Sequence, residues 1–412
     1  ANNALGTGAV TVSGGTLIIG STSQTNTTMT LASGSITGTG SITGTSFQIQ
    51  SGSASAVLAG TADMTKTGSG TATLSGANTF TGGISLQEGT LSIGADNNLG
   101  AAANSVQFNG TGTAALLTTG TFTSARSYSL GAAGTMNVAS GNAFTITGSV
   151  AGAGLLTKSG AGTLVFATDS VTQSGGKLIS AGILQVGNGG AAGALGGGSI
   201  TNNAGLVFNR TGSLSITNII AGTGSLTNLG DGTVTLSGPS TYSGQTVIAA
   251  GTVRAANSSA LGSAAGGTVV SNGAALELSG GISVGSESLS LAGTGLSSGG
   301  ALRNISGGNS FGGTVTLAAN TRINSDAGTL ALTNASTLNG SGFNLTVGGD
   351  GDTVIFSDIA IGTGSLAKDG GGTLILAGAN SYTGGTLVSA GTLQLGNNAP
   401  YSASFATSAI PN

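Results

Sequence analysis

The sequence contains no cysteine, no histidine and no tryptophan, and only 3 prolines, 4% aromatic residues and 5% charged residues among its 412 positions. Each absence removes a kind of chemistry. Without histidine there is no Ser-His-Asp relay, no neutral imidazole base and no imidazole ligand for zinc. Without cysteine there is no thiolate nucleophile, thiolate-bound metal or disulfide, and the lack fits an exported bacterial protein that must not be cross-linked in transit as well as a cytosolic protein that lacks Cys by chance. Carboxylate, lysine, arginine, tyrosine and hydroxyl chemistry remain, and no cofactor is implied. The net charge is -3 and the nine Lys and Arg are scattered singly, so no basic stripe is available to neutralise phosphates and nucleic acid is not an expected partner. No run of 18 apolar residues occurs, so this chain carries no membrane-spanning helix. The first residues, ANNALGTGAV, have neither a basic region nor an apolar signal core.

What is present is glycine, 80 residues of it, with hydrophobic residues at 38% that recur as short Val, Leu and Ile clusters from one end to the other. A disordered linker would not maintain such clusters. No composition shift marks a boundary, which predicts one continuous unit over residues 1–398 and a tail, linker or cap over 399–412, with Tyr401 and Phe405 in it.

A repeat organises the chain. The stretch GANSYTGGTLVSAGTLQLGN from Gly378 matches GANTFTGGISLQEGTLSIGA from Gly76 and GPSTYSGQTVIAAGTVRAAN from Gly238. Aligned on their aromatics, Phe80, the degenerate Val171, Tyr242, Phe311 and Tyr382 are separated by 91, 71, 69 and 71 residues. The unit is about 70 residues, and the first interval carries about 20 more. Within copies, a Gly-Thr pair is followed by a second one 19 residues later, as at Gly70 and Gly89, and in the degenerate copy the interval between the two glycines is 20, from Gly162 to Gly182. Adding nearly one sub-period adds a whole rung rather than a loop, as a solenoid predicts. TLIIG at Thr16, TATLSG at Thr71, TVTLSG at Thr233 and TLILAG at Thr373 read as strands bounded by Gly or Ser. With about one residue in five being glycine, helix is disfavoured. The expected fold is all-β, a β-solenoid of roughly 19 to 20 coils at about 20 to 22 residues each. Gly89, Gly182, Gly251 and Gly391 occupy one site, where the NSF copy places Asn320, and these five are expected to be left-handed corners.

GTGSLAKDGGGTLILAGANSYTGGTLVSAGTLQLGN, residues 362–397, resembles the passenger-associated transport repeat of autotransporter passenger domains, the autotransporter-associated β-strand repeat family. The copies from Gly60, Gly152 and Gly222 resemble it too, with Lys66, Lys158 and Lys368 sharing one turn position that Asn228 fills in the fourth. The resemblance implies a right-handed parallel β-helix exported through an outer-membrane barrel and displayed outside a Gram-negative-type bacterium. NNAPYSASFATSAIPN, at the end of the chain, shows no series of amphipathic barrel strands.

Candidate chemistry is sparse. GGDGDTVIFSD places Asp350 and Asp352 two apart, on one face of a strand, and makes them weak candidates for calcium. Thr353 interrupts the calcium-binding nonapeptide pattern, and no adjacent copy completes a cage. Arg322 and Asp326 are near one another, with nothing converging on them at the repeat spacing. Phe80, Tyr242, Phe311 and Tyr382 are expected to pack against the core rather than form a sugar-stacking row, and the three lysines to be solvated corner charges. The function these readings point to is a structural, non-enzymatic one. The candidates are a surface stalk or adhesin, with glycans or matrix as partners, and a subunit that associates head to tail through open solenoid ends. A polysaccharide lyase or hydrolase on a β-helix scaffold is the alternative.

Overall fold

The computed structural model describes residues 1–110 and 113–396 and the strand Ser404–Phe405. Among them only two short 3₁₀ turns, Asp96–Leu99 and Leu296–Ser298, are helical, and no helix is long and apolar enough to cross a membrane. The rest is strand and corner, wound as a parallel β-solenoid of about 18 turns. Two compact units are distinguished, Ala1–Gly205 and Leu206–Asn412.

In the first unit each strand pairs in parallel with the strand one coil later. Asp63–Lys66 lies between Ser46–Ile49 and Ile84–Leu86, and Thr90–Ile93 between Thr71–Leu74 and Ala114–Thr118. The register stacks like on like. Met29, Phe47, Met64, Ile84, Val106, Tyr128 and Val150 form one inward column, and all seven are buried. The residues between them in sequence point outward, giving the polar column Thr30, Gln48, Thr65, Ser85, Gln107 and Ser129. A two-residue period thus separates core from surface on every rung. A second inward column runs Ala72, Leu91, Leu116, Met136, Lys158, Ile179 and Asn202.

The second unit repeats the scheme, with the column Val234, Val253, Leu276, Leu302, Ile323, Val347 and Lys368. Its longest strand, Val315–Ser325, serves two neighbouring positions of the coil at once. Of the tail expected over 399–412, Ser404–Phe405 runs parallel to Ala379–Asn380. The remainder, including Tyr401, lies outside the described residues.

The sequence repeats do not form a straight row. Lys66 stands on the strand Asp63–Lys66, whereas Lys158, 92 residues later, joins the column of Ala72, on the next strand of the coil. The interval is therefore four coils and one face. In the second unit Asn228 shares a column with Ile248, Val270, Leu291 and Leu317, while Lys368 falls in the column of Val234. Repeats that step round the solenoid this way cannot align their aromatics. Phe80, Tyr242 and Phe311 are fully buried and Tyr382 nearly so, and the hydroxyls of Tyr242 and Tyr382 pair with Thr246 and Thr386 at 2.6 and 2.7 Å.

Candidate functional site: caged corners, a clamp and a charged ladder

The corners carry the repeat's polar signature. Gly89, Gly182, Gly251 and Gly391 take φ of +68°, +67°, +58° and +69°, in the left-handed region that only glycine enters without strain. Space is equally restrictive. A Cβ on Gly391 would lie 2.4 Å from the carbonyl oxygens of Gly370 and Gly372 and 2.7 Å from the Lys368 ammonium. Asn320 is not the fifth member: it lies inside Val315–Ser325 and has no positive φ. The long strand delays the corner to Gly328, at φ +76°. Asn320 instead accepts the Asn344 amide at 2.9 Å, and Asn344 accepts that of Ser365, a coil-to-coil tie.

The lysines are not solvated corner charges. Lys66, Lys158 and Lys368 are at most 2% exposed. The Lys66 Nζ donates to the carbonyls of Thr67, Gly68 and Glu88 at 2.7, 2.7 and 2.9 Å. Lys158 reaches those of Ser159, Gly160 and Ala181 at 2.7, 2.8 and 3.0 Å. Lys368 does the same with Asp369, Gly370 and Ala390. Two carbonyls come from the turn that follows the lysine and one from the coil above, at the residue before the corner glycine. An ammonium has three donors and no acceptor, and this cage uses all three. Asn228 makes a reduced version, donating to Gly230 and Ala250 at 3.1 and 2.8 Å. Burial lowers the Lys158 amine to about 8, and lowers Lys66 and Lys368 against the opposing charges of Glu88 and Asp369. Lys177 is buried too, donating to Gln173 and the Gly197 carbonyl, with its amine lowered to about 8 by burial. All four lysines of the chain are thus inside.

A different device holds the loop around Asp96–Leu99. Arg126 is 2% exposed and pairs through Nε with the Asp96 carboxylate at 2.9 Å. Its remaining donors go to the carbonyls of Asp96, Leu99, Gly100 and Ala101. One guanidinium closes the whole loop.

In the second unit a run of charge follows the strand register. Arg254 pairs with Glu277 at 2.7 Å, Glu277 with Arg303 at 3.2 Å, and Arg303 with Asp326 at 2.5 Å. Arg322 grips Asp369 with two bonds of 2.7 and 2.8 Å. Arg322 and Asp326 therefore do acquire converging partners. Sequence spacing missed them because the pairing is made one coil, or about two, away. Gly348 leaves the room: a Cβ there would lie 2.0 Å from Asp369 Oδ1 and 2.2 Å from Arg322 Nη2. Arg322, Asn324, Asp326 and Asp350 line a shallow cleft of about 270 Å³. Asp352 accepts the Thr373 amide at 2.8 Å and Asp350 that of Gly371 at 3.4 Å, so both tie successive coils together. Among the described residues no group of three acidic side chains is placed to hold a metal.

Glu287 stands apart from these pairs. It is 3% exposed, its Oε1 accepts the Thr268 hydroxyl at 2.6 Å, and burial raises its carboxyl to about 7. With Ser258, Ser259, Leu261 and Gly262 it lines a cleft of about 240 Å³. Neither Arg126 nor Glu287 announces itself in the sequence, since the one carboxylate that pairs with Arg126, Asp96, lies 30 residues away, its other partners are backbone carbonyls, and Glu287 meets the distant Thr268 hydroxyl.

These corners define the class: the chain is a β-solenoid carrying passenger-associated transport repeats, matched at residues 64–93, 156–186, 226–255 and 366–395. Over 171 residues, 42% of the chain, it is 42% identical to the adhesin BmaC autotransporter of Brucella suis biovar 1 (strain 1330), of whose length it covers 5%. No solved structure matches it.

Proposed function

We infer that the chain is part of an autotransporter passenger displayed at the surface of a Gram-negative bacterium, where it acts as an adhesive stalk. The observation that carries this reading is the 42% identity to an adhesin autotransporter over 171 residues, joined to four transport repeats on a solenoid scaffold. The geometry supports a structural role over the polysaccharide-cleaving alternative. Arg254, Arg303 and Arg322 are paired with carboxylates of the same ladder, so none of them stands free as the base of an elimination, and hydrolysis of a glycosidic bond needs a carboxylate pair left open to substrate. Display of the chain ahead of an autotransporter barrel on a non-adherent strain tests the proposal. Adherence to host cells or matrix should rise above that of the barrel alone. Equal adherence, with the folded chain shown to be at the surface, would refute the adhesive role.

A further inference from the structure

Residues 78–108 and 240–270 correspond without a gap at an offset of 162, which pairs Phe80 with Tyr242, Asp96 with Ser258, Leu99 with Leu261 and Gly100 with Gly262. The two loops share their backbone. Gly100 and Gly262 take φ of +76° and +85°. The amides of Ala101 and Ser263 donate to the carbonyls of Phe80 and Tyr242 at 2.9 and 2.8 Å, and those of Gly100 and Gly262 to Asn97 and Ser259. What lies beneath them is opposite in charge. In the first loop Arg126 sits two residues before Tyr128, the partner of Val106, and its guanidinium fills the loop. In the second, the position two residues before Leu289, the partner of Thr268, is Glu287. The arginine has become a buried glutamate and its partner Asp96 a serine. The space is left as a cleft of about 240 Å³ lined by Ser258, Leu261, Gly262 and Glu287.

We propose that this cleft binds a guanidinium group supplied from outside the chain, the end of an arginine side chain on a protein partner, in the place that Arg126 fills in the first loop. The Leu261 and Gly262 positions, whose counterparts present carbonyls to Arg126, line it, and Glu287 supplies the countercharge. Glu287 Oε1 is engaged by Thr268, and Oε2, which receives no donor from the described residues, is left to the cleft. The volume falls below the roughly 300–1,000 Å³ of small-molecule sites, which suits one side-chain terminus rather than an oligosaccharide. The site is independent of the adhesive reading, and its failure would leave that reading standing.

Protonation of Glu287, whose carboxyl is raised to about 7, should govern loading. The residues 258–264, 284–286 and 311–314 around it carry no charge, and Tyr242 is the titratable group coupled to it. The probe is butylguanidinium, titrated calorimetrically into the full chain at pH 8 and pH 5.5, with neutral butylurea alongside. Binding at pH 8 that weakens more than tenfold at pH 5.5, no binding of butylurea, and loss in Glu287→Gln are expected. The double variant Ser258→Asp, Glu287→Arg rebuilds the internal clamp, and should refuse the probe while melting above Glu287→Gln. Should Glu287→Gln not fold, the pH dependence and the double variant decide. Absence of binding at pH 8, equal binding of butylurea, binding unchanged in Glu287→Gln, or saturation by Ca²⁺ in place of butylguanidinium would overturn the proposal.

Discussion

A lysine at a glycine-rich turn ordinarily reads as a solvated charge, because lysine is among the residues least often buried. Lys66, Lys158 and Lys368 break that habit because the backbone brings three carbonyls to one point, two from the turn and one from the next coil. Only the turn half of that cage is local in sequence, which is why the shared turn position of the three lysines was legible and the burial was not. Lys158→Met should cost about 1–3 kcal/mol for each acceptor left dry, and Lys158→Asn, which copies Asn228, should cost less; urea denaturation measures both. The corner glycines were legible because a left-handed residue restricts residue type at its own position. Asn320 was misplaced because counting from Phe311 cannot see that Val315–Ser325 spans two positions of the coil. Gly182→Ala brings a Cβ to 2.4 Å from two backbone carbonyls, whereas Gly141, at φ +77°, has nothing within 4 Å. Gly141→Ala should therefore show only the left-handed cost of about 1–2 kcal/mol, and Gly182→Ala distinctly more. Acid behaviour follows from Glu287, whose carboxyl rises from 4.5 to about 7 on folding. The folded state then holds more protons than the unfolded between those values, so the contribution is present below 4.5 and lost as pH climbs through 7. Melting curves of wild type should show this loss between pH 4.5 and 7 relative to Glu287→Gln. Lys158 and Lys177, lowered to about 8, work in the opposite sense and add stability as pH rises from about 8 to 10.5.

At the level of the rung, alternation of small apolar and polar residues was enough to place the strands, since a two-residue period fixes which side chains enter the core. TATLSG and TLILAG became Thr71–Leu74 and Thr373–Leu376. The step of one face between repeats was hidden, because sequence periodicity gives the length of the path and not where on the coil it closes. The charged ladder was hidden for the same reason: Glu277 and Arg303 are 26 residues apart and adjacent in space. Coils should nonetheless be exchangeable as units. Removal of residues 128–149 deletes one whole turn and would set Val150 on Val106, its next neighbour in the same column. That variant should unfold cooperatively with an undiminished β-sheet circular dichroism signal per residue. Removal of residues 128–138, half a turn, should abolish the cooperative transition, because it breaks the inward columns.

On the scale of the whole chain, polarity is directed inward at the corners, and the surface is left with hydroxyls, amides and few charges. Such a chain gains its stability from neighbouring turns rather than from any single rung. Its four lysines give one reading of whether the corners are built as described. A lysine amine lowered to about 8 is more reactive than an ordinary one if reagent can reach it, so acylation at pH 8 followed by mass mapping is a stringent test. In the native chain Lys66, Lys158, Lys177 and Lys368 should remain unlabelled, and all four should react once the chain is unfolded in guanidinium chloride. Labelling of these lysines in the native protein at the rate of free amines would contradict the caged corners.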